Sequence, residues 1–381
     1  MSRTHAQDGF TLIELMVGLV LGMIATLAIF STVSSFESQR RVTGSGVDMQ
    51  QNGLLALYSI EQDIRMAGYG LIDTTTTPGD LPCTRIDAYS PASVFSSAPV
   101  LIANGSAGTD IITVNRLDSD TGGIVTGGHA ARVSAALGAG VVPTAIQLDT
   151  SKALRTNDFI LVSESGLDCS LLKVSASPSA TIGASGVDVV PAGNASGDTT
   201  QHPAFPNYGA SAAVSAVVTN LGPGDPAFAT TKYQINGNYD LIRSEDGGAN
   251  WNAVASNIVA VAAQYGIADV GGQSVNCWTD AVDKTSATDC AGGKNWAAPA
   301  SAELRRIKGI RVAIVARSAQ LMPKTNGVCT TTTTAPVAWV DSTGSSVPPV
   351  IDLTAIPDWG CYRYKVYQTI IPVRNVIWGG L

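Results

Sequence analysis

The apolar positions of this chain are unevenly placed. From Leu15 to Phe30 the sequence reads LMVGLVLGMIATLAIF, sixteen residues without a charge, and the low-charge stretch runs from Phe10 to Phe36 with Glu14 as its one ionisable side chain. About twenty apolar residues cross a bilayer as a helix, so this run is long enough to span. After Arg40 and Arg41, residues Leu54, Leu57, Glu61 and Ile64 recur at helical spacing, with Leu55, Tyr58 and Ile60 alongside, and Glu61 stands four residues before Arg65 for an ion pair along the helix. Gly44 and Gly46 loosen the stretch between the two segments, and Gly68 and Gly70 supply the stop. A helix from Phe10 to Met66 is about 85 Å long at roughly 1.5 Å per residue. Its second half therefore leaves the membrane, and the pattern predicts an amphipathic helix packed on the protein's own head.

Beyond Leu71 the chain turns to Thr, Ser, Gly, Ala and Val, and the periodicity shortens. Strand-like runs recur at Ile111 to Val114, Phe159 to Ser163, Leu171 to Val174, Val214 to Thr219, Ile258 to Tyr265 and Ile310 to Val315, separated by turn-rich segments. Asn236-Gly237-Asn238 between Tyr233 to Ile235 and Tyr239 to Ile242 is a hairpin signal, and Asp246-Gly247-Gly248 a second turn. Tyr362, Tyr364 and Val366 alternate with Arg363 and Lys365, which predicts a strand with one wet face. The fold class is α+β, a long N-terminal transmembrane and amphipathic helix on a large antiparallel β-sheet head. The expected organisation is a leader at 1–9, a transmembrane helix at 10–36, its continuation at 37–70 and a β-rich head at 71–381, with a subdomain inserted around 78–226. Thr74 to Thr77 and Thr330 to Thr334 read as solvated loops.

Composition changes this picture at two points. The 381 residues carry 23 Lys and Arg against 30 Asp and Glu, for a net charge of −7, so no basic excess points to a polyanion and no nucleic-acid partner is predicted. The 45% of hydrophobic residues excludes general disorder. No G-x-S-x-G, HExxH or P-loop occurs, and Gly68-Tyr69-Gly70 lacks the third glycine of a dinucleotide fingerprint. No enzymatic activity, catalytic residue or cofactor is predicted. Asp280, Asp283 and Asp289, and likewise Asp240, Glu245 and Asp246, read as solvated loops rather than cation sites, because neither spacing is that of an EF-hand.

Glu14 is the residue that a plain anchor does not explain. A carboxylate in a membrane helix costs roughly 2.5–3.5 kcal/mol at the helix centre and asks for a cation. A cleaved secretory signal fits poorly, since the apolar run is long and no A-x-A follows Phe30. The run Gly9-Phe10-Thr11-Leu12-Ile13-Glu14-Leu15-Met16 resembles the type IV pilin family. The resemblance implies that a prepilin peptidase cuts between Gly9 and Phe10 and methylates the new Phe10 amine. That amine would be the missing cation: pairing Glu14 of one subunit with Phe10 of another fixes axial register between helices, because misregistered packing strands a buried charge. The stretch Gln51 to Gly70, with Asp63-Ile64-Arg65-Met66-Ala67-Gly68-Tyr69, resembles the region after the helix in PilW-type minor pilins, as do the strands around Ile307 to Ser318 and Tyr362 to Asn375.

The resemblance implies a minor pilin that joins other minor pilins and the major pilin in initiating or tipping a type IV pilus. It implies insertion in the inner membrane by one span, a periplasmic head and later residence in the pilus. Alternatives are a large minor pseudopilin of type II secretion, and a tip adhesin or binding subunit. Arg40 and Arg41 after the span, against Arg3 before it, run counter to the positive-inside rule for this orientation. The cysteines favour it: Cys83, Cys169, Cys277, Cys290, Cys329 and Cys361 form no CxxC and have only His5, His129 and His202 to help bind a metal, so disulfides outside the cytoplasm are expected. Neighbours in sequence are the simplest pairs, Cys277 with Cys290 and Cys329 with Cys361, leaving Cys83 with Cys169.

Overall fold

The computed structural model describes residues 11–69, 86–87, 94–95, 98–105, 109–116, 131–137, 145–150, 154–164, 167, 169–175, 185–191, 216–223, 229–281, 296, 299, 301–339, 348–349 and 351–378. Gly9, Phe10, Gly70, Cys83, Asp283, Asp289 and Cys290 lie outside them.

The chain opens with α1, Leu12–Met66, one helix of 55 residues. Thr11 caps it, its Oγ1 accepting from Glu14 N at 3.3 Å while the Glu14 carboxylate accepts from Thr11 N at 3.5 Å, a reciprocal capping box. The helix passes through Gly44 and Gly46 without interruption and ends at Met66, one turn short of Gly70. Gly68, with φ 75, is the glycine that turns the chain, and its N–H reaches Asn115 O at 2.8 Å.

The strands that follow are β1 Ile86–Asp87, β2 Val94–Phe95, β3 Val100–Asn104, β4 Asp110–Arg116, β5 Ala131–Arg132, β6 Ala145–Leu148, β7 Asp158–Ser163, β8 Cys169–Val174, β9 Ser185–Pro191, β10 Val217–Pro223, β11 Ala229–Ile235, β12 Asp240–Ser244, β13 Asn252–Ser256, β14 Ile258–Ile267 and β15 Cys277–Thr279. A short α2, Ser301–Leu304, precedes β16, Ile307–Arg317; β17, Tyr364–Pro372, and α3, Arg374–Trp378, close the chain. They form a four-stranded sheet in the order β15-β14-β16-β17, a five-stranded sheet β13-β12-β11-β4-β3, and an eight-stranded sheet built around β2-β1-β8-β7-β10-β5 with β9 paired to β8 and β6 paired to β9. Every pairing is antiparallel except β1 with β8. The eight-stranded sheet falls largely between β4 and β11, which are neighbours in the five-stranded sheet, and it has its own core of Val133, Ile146, Ile160, Val162, Leu172 and Val218.

The principal core lies between α1 and the four- and five-stranded sheets. β14 and β16 are rich in Val, Ile and Ala, and nearly every position of both is buried, because the sheet is covered on two faces. The rows Val261–Ile314–Tyr367 and Tyr265–Ile310–Ile371 face the helix side. The row Ala260–Val315–Val366 faces the other way, against Ala338, Ile351, Leu353 and Ile356 of the long connection before β17.

This corrects the expected phase of β17. Tyr364 and Val366 do not face the main core; Tyr367 and Ile371 do, and Tyr364 and Val366 pack under the connection on the outer face. The alternation seen in the sequence is real, but the face taken as core is the second, smaller one. The hairpin of β11 and β12 turns at Asn236–Asn238 as the sequence predicts, with Asn236 Oδ1 accepting from Asn238 N and Asp240 N, each at 2.9 Å.

Candidate functional site

The functional element is α1, and its two ends do different things. From Leu12 to Phe36 every side chain that is described is exposed, including Leu15, Leu19, Met23, Leu27 and Phe30. Among the described residues this is the one helix long and apolar enough to cross a membrane. No described residue of the head covers it. Glu14 sits at its start with its carboxylate on Thr11, and Phe10, whose amine the pilin resemblance implies as the partner of Glu14 from another subunit, lies outside the described residues.

The second half docks through a narrow stripe of Met49, Gly53, Ala56, Ile60, Ile64 and Ala67. This stripe is not the one that the leucines predict. Leu54, Leu55 and Tyr58 are 57%, 50% and 64% exposed and point away from the head, while small residues let the helix lie close on β13, β16 and β17. Only Ile60 and Ile64 of the predicted set are fully buried, each contributing about 1.5–3 kcal/mol; Leu57 is partly so. Large side chains on the outer side and small ones on the inner invert the usual amphipathic reading.

The dock is pinned by a charge. Asp63 is buried, and its carboxylate accepts from Arg116 Nη1 at 2.9 Å and from Arg243 Nε at 3.0 Å. Tyr233 Oη donates a short bond to the same carboxylate, and Ser59 Oγ is 2.9 Å from that phenol. Arg243 also pairs with Glu245 at the surface. Burial, and then the Asp63 charge, push the Tyr233 phenol well above its ordinary range, so it stays a donor. Three strands thus send a side chain each, from β4, β11 and β12, to one helical carboxylate. Asn375 Nδ2 from α3 then donates to Ala67 O at 2.7 Å, satisfying a carbonyl at the helix end.

Sequence reasoning placed Asp63 in a family-like run but gave it no task. The available signal was its position on the 49–53–56–60–63–67 stripe, where an unpaired carboxylate would be costly. The Glu61–Arg65 pair is present on the exposed side.

The remaining candidates are scattered. Asp240 accepts from Asn236, Glu245 pairs with Arg243, and Asp246 closes its own turn by accepting from Ala249 N and Asn250 N, each at 2.9 Å. Those last bonds hold the exposed Asp246 carboxyl well below the usual carboxylate range. Asp280 accepts from Gln264 Nε2 at 2.6 Å. No grouping of metal-binding side chains occurs among the described residues. Cys329 and Cys361 form a disulfide, and Cys169 and Cys277 are each disulfide-bonded. Their expected partners, Cys83 and Cys290, lie outside the described residues.

Comparison with known families separates along the same two parts. Residues 4–30 match the prokaryotic N-terminal methylation motif, and residues 217–375 match the Type IV Pilus-assembly protein W family. No curated protein and no solved structure matches the chain. The first match covers the start of the exposed apolar half of α1. The second runs from β10 into α3 and so contains Arg243, Tyr233 and Asn375, which hold the other half. Together with the apolar helix, the two matches on one chain support a membrane-anchored, type IV pilin-like protein that is similar to the PilW minor pilins over residues 217–375.

Proposed function

We propose that this protein joins other minor pilins and the major pilin in initiating or tipping a type IV pilus. It would be inserted in the inner membrane by a single span with its head in the periplasm, cut between Gly9 and Phe10 by a prepilin peptidase, and methylated on the Phe10 amine. The observation that carries the reading is that α1 continues without a break from an entirely exposed apolar half into a half fixed to the head. An apolar rod that no described residue of its own chain covers is stable only in lipid or among other such rods. In the assembled state, Glu14 exchanges its local capping bonds for the Phe10 amine of a neighbouring subunit, and this pairing sets axial register. A head with three sheets is bulky to repeat along a dense shaft, which favours a terminal position.

Mass spectrometry of the mature N-terminus tests the processing step. A chain beginning at methylated Phe10 is the expected result; an intact leader, or a cut beyond Phe30, overturns it. Gold labelling of the head on isolated pili tests the position, with label at filament ends expected and regular label along shafts contrary to the proposal.

A further inference from the structure

The outer face of the four-stranded sheet, opposite α1, carries an arginine held between two tyrosines. The Arg317 guanidinium, at the end of β16, lies 4.1 Å from the ring centroid of Tyr239 and 4.5 Å from that of Tyr362. Tyr239 comes from the β11–β12 hairpin and Tyr362 from the residue after the Cys329–Cys361 disulfide, so two separate segments hold one side chain. Tyr364 completes the cluster, its ring 6.5 Å from Tyr362 and its hydroxyl donating to Trp359 O at 2.9 Å.

Arg317 is fixed but not paired. Its Nε is buried with no hydrogen-bond partner, and among the described residues no carboxylate reaches the guanidinium. Two acidic side chains next to these segments are occupied, Asp240 by Asn236 and Asp358 by Lys324 at 2.9 Å. The residue as a whole is half-buried, and Nε is its one nitrogen that is both buried and unbonded. The Tyr239 and Tyr362 hydroxyls likewise make no hydrogen bond among the described residues. Backbone strain is concentrated on the same face: Tyr239 has φ 63 and Trp339 has φ 57, a left-handed conformation that large side chains rarely adopt.

We propose that the Tyr239–Arg317–Tyr362 stack is a binding site for a carboxylated sugar, a hexuronate unit of an acidic polysaccharide. A guanidinium fork matches a planar carboxylate in a way that a point charge does not. Tyrosine hydroxyls bond the hydroxyls of a sugar, and the ring surface that the guanidinium leaves uncovered packs against its apolar face. The cost of ordering the arginine has already been met by the two rings, which is the condition for a preformed site. Because the stack and α1 lie on opposite faces of the sheet, helices gathered in a bundle leave the stack turned outward. The proposal does not depend on where along the pilus the protein sits.

The test uses the full-length chain in detergent, titrated calorimetrically at physiological salt with oligogalacturonate, with dextran as neutral sugar and polyglutamate as a carboxylate without a sugar. Binding of oligogalacturonate alone is expected. Arg317→Lys should weaken it by about ten-fold, since charge is kept and the fork lost. Tyr239→Phe combined with Tyr362→Phe keeps both rings, should melt like the parent, and should weaken binding several-fold; this pair carries the test if Arg317→Lys misfolds. Absence of oligogalacturonate binding, equal binding of polyglutamate or dextran, or parental affinity in the Tyr→Phe pair overturns the proposal.

Discussion

Gly53 of α1 and Tyr367 of β17 touch with no room for a methyl group between them. A Cβ on Gly53 would stand 2.9 Å from Tyr367 Cζ, and two further ring atoms lie closer still. Elsewhere in a helix, Gly→Ala stabilises by about 1 kcal/mol. Here Gly53→Ala should destabilise by about 1–3 kcal/mol, because the ring is packed and cannot retreat without opening the dock. Urea denaturation of the full-length protein measures this, and adding Tyr367→Leu should recover part of the loss.

Asp63→Asn should be more severe. It leaves Arg116 and Arg243 facing a neutral amide, and breaking an ion pair that is largely buried costs about 3 kcal/mol. Arg243→Lys, which keeps the charge but loses the second bond to the carboxylate, should cost less. The ordering of the two urea midpoints checks the assignment of Asp63 as the centre of the cluster.

The two smaller sheets are stitched by side chains rather than by a shared ladder. Ile102 N in β3 donates to Tyr265 Oη at 2.6 Å, and Ala263 N in β14 donates to the Asp110 carboxylate at 2.7 Å. Burial, with the Asp280 charge adding to it, pushes the Asp110 carboxyl up to about 7 from an ordinary 3.8, against the Ala263 bond. Tyr265 and Asp280 are the titratable groups that act with it, and Asp280 also faces Arg311, whose own value burial lowers to about 10. An acid raised in the folded state binds more protons folded than unfolded, so its contribution is complete at low pH and is lost as pH rises through about 7. The melting temperature should therefore fall between about pH 5 and about pH 8 by more than in Asp110→Asn, which keeps an oxygen for Ala263 N.

The Cys329–Cys361 disulfide closes 32 residues of the connection that covers the outer face. Replacing both cysteines by serine should cost about 2–4 kcal/mol. Susceptibility to protease should increase within this connection first, with α1 still docked, since the helix meets the opposite face.

Glu14→Ala should insert in the membrane as the parent does, since the apolar run is untouched, yet assemble poorly. Membrane fractionation together with pilus counts separates the two effects. Normal piliation would remove the register role of Glu14.

How much of this was legible in the sequence follows from the range of each interaction. The helix, its Thr11–Glu14 start, the Glu61–Arg65 pair and the Asn236–Asn238 hairpin depend on residues within a few positions of one another, and the sequence alone is enough to find them. The docked stripe was misread because Leu54 and Tyr58 look like core residues until the close approach of Tyr367, 314 positions after Gly53, makes a glycine the better neighbour. The partners of Asp63 lie 53 and 180 residues away, beyond any local pattern. The same distance problem hid the phase of β17, since the second cover on its sheet comes from a connection with little regular structure of its own.

The position of the Asp63 cluster also decides how force would travel through the molecule. α1 is free for its first half and docked from Met49 to Ala67, and within that dock the charged grip is at Asp63, where tension along the helix axis is divided among β4, β11 and β12. These strands are hydrogen-bonded neighbours, which load their ladders together in shear. A head fastened in this way resists being peeled from its rod strand by strand, and the weakest link under a pull becomes the contact of the bare half of the helix with its neighbours.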